Sequence, residues 1–150
     1  MKTKPKRSFF INLADEVRDK IQVSAQKKGE DHKGKSFNKY TAKYKKRKSA
    51  GKAVPKGQAV ASKSIKPDLT LTGTMWRNMS KDSGEDFAEV GWTARNQAEK
   101  VQGLADGGRV IFSDDSVHPD VDKLIEKMFK DEVDSNVKKT KPKDKTIRIG

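Results

Sequence analysis

Apolar residues in this chain recur in two helical rhythms separated by a long stretch that has none. Over residues 9–25, Phe10, Leu13, Ala14, Val17 and Ile21 fall on one helical face, while Asn12, Asp15, Arg18, Asp19 and Gln22 fill the other. Lys27, Lys28 and Gly29 close that helix, because cations suit the negative end of the backbone dipole and glycine suits a left-handed cap. Over residues 119–133, Val121, Leu124, Ile125, Met128, Phe129 and Val133 share a second face, opposite Asp122, Lys123, Glu126, Lys127, Lys130 and Asp131. Pro119 fits the first helical position, and Asp120 and Asp122 fit the positive first turn.

Between these helices the pattern changes period. Phe87-Ala-Glu-Val-Gly-Trp92 alternates and predicts a strand. Leu69, Leu71, Met75, Trp76 and Met79 flank Thr72-Gly73 and predict a short strand or helix. Ser80 to Gly84 reads as a turn, and Thr93 as the cap of a short helix over residues 94–101. Arg109-Val-Ile-Phe112, after Gly107-Gly108, reads as a second short strand or extended edge. Thr146-Ile-Arg-Ile149 alternates and predicts a terminal strand on a neighbouring subunit.

The fold expected is α+β, a small antiparallel sheet packed against an N-terminal and a C-terminal amphipathic helix. One domain spans residues 1–150: a disordered basic arm at 1–8, a helix at 9–29, an extended basic arm or loop at 30–67, an α+β core at 68–135 and a polar tail at 136–150. Trp76, Phe87, Val90, Trp92, Val110, Phe112, Leu124, Ile125, Met128 and Phe129 are the expected core.

Charge sharpens the division. Lys33, Lys35, Lys39, Lys43, Lys45, Lys46, Arg47, Lys48, Lys52, Lys56, Lys63 and Lys66 lie in a stretch with no acid, and they account for nearly all of a formal net charge of +13. The rest of the chain is close to neutral. A near-neutral domain carrying one cationic segment points to nucleic-acid phosphates or an acidic protein surface as its target. The contact residues expected are Lys39, Lys43, Lys45, Lys46, Arg47, Lys48, Lys52 and Lys56, with Phe37, Tyr40 and Tyr44 near enough for rings to stack on bases. A solvated linker has the same composition.

Other chemistry is sparse. The absence of cysteine excludes disulfides, thiol chemistry and cysteine-based zinc sites. No apolar stretch is long enough for a membrane-spanning helix, and Asp15 and Glu16 break what would be the apolar part of a signal peptide. Gly29-Glu-Asp-His-Lys-Gly34-Lys35-Ser36 fits the phosphate-loop pattern letter for letter, but a helix precedes it and lysine-rich chain follows, the reverse of the required context. His32 lies in the basic loop, and His118, just before Pro119, reads as a helix cap. Asp114, Asp115, Asp120 and Asp122 lack the spacing of a calcium loop. No acid, base and nucleophile converge, so neither enzymatic activity nor a metal or cofactor is expected.

Four segments, taken in order, resemble the virion-morphogenesis and tail-completion proteins of tailed phages. Leu69-Thr-Leu-Thr72-Gly73-Thr-Met75-Trp-Arg-Asn78-Met79 parallels that family's Leu-x-x-Thr-Gly-x-Leu-x-x-Ser-Ile segment. Val90-Gly91 matches the end of its strand, and Gln97-Ala98-Glu-Lys-Val101-Gln102-Gly103 its Tyr-Ala-x-x-His/Val-Gln/Glu-x-Gly segment. Arg109-Val-Ile-Phe112-Ser113 stands before the last helix, as Arg-x-Phe-Leu-Gly-Leu-Ser does there. Gln97 replaces the tyrosine, the glycine comes one residue early, and the last segment is shortened.

The resemblance implies a structural protein of the virion, assembled in the host cytoplasm, that joins head to tail as a connector, neck component or tail terminator. It implies a homo-oligomeric ring, commonly a hexamer, with adjoining connector, neck or tail-tube proteins as partners and packaged DNA within reach of the basic arm. The charge block alone supports the alternative of a small nucleic-acid-binding accessory protein.

Overall fold

Phe9, Phe10, Leu13, Ala14 and Ile21 are buried along helix α1 (Arg7–Gln22), which forms on the expected stripe. The structure is a computed structural model that describes residues 5–70, 73–113 and 115–140. Leu71, Thr72, Asp114, the first four residues and the expected strand at Thr146–Ile149 lie outside the described residues. The helix widens into a π-helical turn (Val23–Lys27) and stops at Gly29, whose φ of +68° is the left-handed conformation that glycine adopts without strain.

After it come α2 (Ala42–Ser49), α3 (Thr74–Arg77), β1 (Ser80–Ser83), β2 (Ala88–Gly91), α4 (Arg95–Asp106) and α5 (Pro119–Thr140). The fold is α+β, with a two-stranded antiparallel sheet among the described residues. Helix α1 is the hub, in contact with both strands and with α5. The Phe129 ring lies 4.9 Å from Phe9 at one end of the α1–α5 pair, and Ile21 shares the core with Val121 at the other, so these helices run antiparallel. The main core joins Ile21, Ala25, Phe37, Met75, Trp76, Met79, Ile111 and Val121. A smaller cluster gathers Phe9, Phe10 and Leu13.

Several expectations are corrected. The long basic segment is a loop with one short helix rather than a free arm: Glu30 bridges Ser36, Phe37 is buried in the main core, and α2 starts at a cap where the Thr41 hydroxyl accepts the Tyr44 N–H at 3.3 Å. Burying the Phe37 ring offsets part of the cost of ordering its neighbours, a contribution the charge pattern does not reveal. Ser80–Ser83 is a strand rather than a turn, paired from Ser80↔Gly91 to Ser83↔Ala88. The turn lies at Gly84–Phe87, closed by the Gly84 N–H donating to the Phe87 carbonyl at 2.9 Å. Phe87 therefore sits at the hairpin tip, 43% exposed, and Phe129 is also exposed on one side; neither is a core residue.

Of the two alternatives for Arg109–Phe112 the strand is not formed: the Val110 carbonyl accepts the His32 N–H at 3.0 Å, a single backbone bond to another segment, while Ile111 is buried in the core. Helix α4 begins one residue later than Thr93 allows, with Ala94 at its cap position. It also continues to Asp106, beyond the expected end. The tail boundary moves too: α5 runs to Thr140 and so takes in residues 136–140. His118 is a cap, as expected, its Nδ1 accepting the Asp120 N–H at 3.0 Å.

Candidate interaction surface

The phosphate-loop match is consumed by its own backbone. Asp31 Oδ1 accepts the N–H groups of Lys33 at 2.8 Å and Lys35 at 2.9 Å, filling the cradle in which a phosphate would lie. The loop is pinned to the segment before α5 by His32 Nδ1 to Ser116 Oγ at 2.8 Å and by His118 Nε2 to Glu30 Oε2 at 2.5 Å. Both histidines are thus engaged in holding chain to chain.

Past Phe37 the cationic segment is clamped at one point. Lys48 turns inward from α2, and its ammonium donates to Asp68 Oδ1 at 2.5 Å. Asp68 also accepts from the Ser62 hydroxyl and from the Thr70 N–H at 3.0 Å. A lysine this buried is stable only with such a partner. Tyr40 completes the clamp: its hydroxyl oxygen accepts the Leu69 N–H at 3.2 Å, and its ring lies 5.1 Å from Lys48 Nζ and 5.2 Å from the Arg109 guanidinium. Burial, opposed by the Leu69 N–H, pushes the Tyr40 hydroxyl up to about 12. Burial likewise raises the neighbouring Tyr44.

Of the expected contact residues, Lys39, Lys43, Lys46, Arg47, Lys52 and Lys56 are exposed, Lys45 is half-buried, and Lys48 is withdrawn into the clamp. Lys48 is therefore a structural residue and leaves the contact set. Lys39 precedes α2, Lys43, Lys45, Lys46 and Arg47 lie on it, and Lys52 and Lys56 follow in the loop after it.

Beneath them lies an open cleft of about 760 Å³ between this segment and helix α4. Tyr40, Tyr44, Leu69, Met75 and Leu104 give it apolar walls, and Lys100 and Arg109 are its cationic lining residues. No acid lines it. Arg109 is held from behind, donating through Nε and Nη2 to the Asn38 carbonyl at 3.3 and 3.1 Å, and through Nη2 to the Lys39 carbonyl at 3.3 Å.

Several of the residues that carry the sequence resemblance share the core around the Trp92 indole. Gly73, at φ +78°, starts α3, and Met75 is buried in the core. The Trp92 Nε1–H donates to the Met75 carbonyl at 2.7 Å, and Phe112 stacks on Trp92 at 5.8 Å. Val90 and Gly91 lead into Trp92 from β2, and Leu69 packs against the same core. Ala98 is half-buried on α4, while Gln102 is exposed and donates to Asp106 at 2.8 Å. Thr72 is outside the described residues.

Sequence reasoning missed Asp68, Lys100 and Leu104. For Asp68 a signal existed: it is the first carboxylate after the acid-free run, the natural counter-ion for a lysine that must be buried. Among the described residues, no group of three histidines or acids is placed to hold a metal ion, and no helix is long and apolar enough to cross a membrane. Compared with known proteins, the chain matches no family model, no curated protein and no solved structure.

Proposed function

We propose that this chain is a structural component of a tailed-phage virion, a tail-completion or neck protein that works as part of a homo-oligomeric ring joining head to tail. The observation that carries the reading is the convergence of the resemblance residues. Leu69, Met75, Trp76, Met79, Val90, Trp92, Ile111 and Phe112, from stretches separated along the chain, share one core, with Trp92 bonded to Met75 and stacked on Phe112, as motif segments that belong together would. The two-stranded sheet supports it as well. Each strand has one edge without a strand partner among the described residues, and such edges suit pairing with a neighbour. The cationic face over α2 then meets an acidic neighbouring protein or the packaged DNA. Light scattering after size-exclusion chromatography, alone and with adjoining neck or tail-tube proteins, tests this: rings are expected, and a strict monomer in every mixture refutes it.

A second reading is nucleic-acid binding by the free protein, favoured by the exposure of Lys43, Lys46, Arg47, Lys52 and Lys56 along one segment. It requires binding to duplex DNA that weakens steeply with salt and is lost when Lys43, Lys46 and Arg47 are replaced by alanine. Indifference to DNA at low salt removes it and leaves the ring untouched.

A further inference from the structure

The hairpin tip and the cleft are opposites in charge and shape. From Ser80 to Gly91 the hairpin carries Asp82, Glu85, Asp86 and Glu89 against one cation, Lys81, whose ammonium is already given to Asp15 of α1. Among the described residues no cation pairs with Glu85, Asp86 or Glu89. Asp82 and Glu89 stand directly opposite each other in the sheet register, both exposed, an arrangement that destabilises an isolated hairpin. At the tip, the Phe87 ring covers Gly84 where a Cβ would stand, and so it is held outward rather than folded in. The tip is therefore an acidic knob with an aromatic point.

The cleft is the matching socket, with apolar walls, Lys100 and Arg109 among its lining residues, Lys43 next to Tyr44 in the sequence, and no lining acid among the described residues. Within one chain the two cannot meet. The Ser80–Gly91 end of the hairpin is the end nearer Met75, through the Trp92 bond to its carbonyl. Ala88, at the tip end, packs instead beside Phe9, Phe10 and Leu13. Knob and socket thus lie apart on one molecule, as a head-to-tail contact requires, and repetition of that contact closes a ring when the rotation per subunit allows.

We propose that the Gly84–Phe87 tip of one copy docks into the cleft of the next, Phe87 entering between the tyrosines and Leu104 while Glu85 and Asp86 meet Lys100 and Lys43. This names the subunit contact of the ring and rests on the ring reading above. Burying a pre-positioned aromatic ring and neutralising a like-charged pair favour association together.

The test is sedimentation velocity on the full chain and four variants. Gly103 faces open space on α4 at the cleft, so Gly103→Trp plugs the socket without crowding the free subunit. Gly103→Trp and Phe87→Ala should each weaken association on the order of thirtyfold or more. The Glu85→Lys/Asp86→Lys and Lys43→Glu/Lys100→Glu proteins should each be monomeric alone and assemble when mixed, because mixing restores opposite charge at every contact. Wild-type rings that persist unchanged in Gly103→Trp and Phe87→Ala overturn the docking mode and leave the ring standing. A wild-type chain that stays monomeric overturns the docking mode and, if it also stays so beside its neighbours, the ring.

Discussion

The Lys48 ammonium meets the Asp68 carboxylate at 2.5 Å, with only 1% of the lysine side chain exposed, and this pair joins α2 to the segment that leads into α3. The most basic stretch of the chain is thereby held by the first acid that follows it. Replacing Lys48 with methionine keeps the volume but leaves Asp68 without its cation. The expected loss is about 3 kcal/mol, which for a chain of this size lowers the melting temperature by roughly 6–12 °C. Lys48→Met/Asp68→Asn should recover most of it, since neither charge is then stranded and the side-chain amide still has Ser62 and Thr70 as hydrogen-bond partners. Denaturant titration of the three proteins decides; equal losses in the single and double variants would mean that packing, not charge, sets the cost.

Tyr40 predicts an alkaline transition. Its hydroxyl is raised from 10 to about 12, chiefly by burial, so the folded state favours the neutral phenol. The stability this contributes is complete below pH 10 and is lost as pH rises through about 12. Tyr40→Phe should flatten the fall of stability over that window, at a cost near 1 kcal/mol at neutral pH for the lost Leu69 bond. Tyrosinate absorbance during alkaline titration checks the order: both phenols ionise above the ordinary value, Tyr40 near 12.

Phe37 and Phe87 make a matched pair of substitutions. Phe37 is buried among Ile21, Trp76 and Val121, whereas Phe87 stands at the hairpin tip. Phe37→Ala should cost about 3–5 kcal/mol. Phe87→Ala should cost less than about 1 kcal/mol in the free subunit, so its effect on assembly is read without a stability loss. Thermal melts of both alanine variants suffice, and similar losses would contradict the burial difference.

Glycines with positive φ are not equivalent. Gly57, at +85°, has open space where a Cβ would go, so Gly57→Ala should cost about 1 kcal/mol from the backbone alone. Gly29, at +68°, would place its Cβ 2.9 Å from the Pro67 carbonyl oxygen, a backbone atom that cannot swing aside. Gly29→Ala should therefore cost clearly more, and should loosen the junction between the first helix and the cationic segment. Hydrogen exchange at Phe37, whose N–H donates to the Gly29 carbonyl at 2.8 Å, reports on that junction.

Helices α1 and α5 were legible because each buries one face, and a buried face writes a period of 3.6 residues into the sequence. Pro119 and Gly29 marked a start and an end because each answers a local backbone requirement. The charge block was equally plain. Strand β1 was not, since Ser80-Lys81-Asp82-Ser83 carries no apolar alternation and is a strand because β2 pairs with it. The cleft was not legible either: its walls come from residues 40–58, 69, 73–75 and 100–109, and nothing in one stretch announces the others.

Local pattern thus determined the two long helices and the net charge of each segment, because those depend on near neighbours along the chain. Which lysine turns inward, which phenylalanine stays out, and where an acidic knob lies relative to a cationic socket were decided by the tertiary structure. Burial and charge pairing depend on distance in space, and the partners here, Lys48 with Asp68 and Phe37 with Trp76, meet only once the chain has folded.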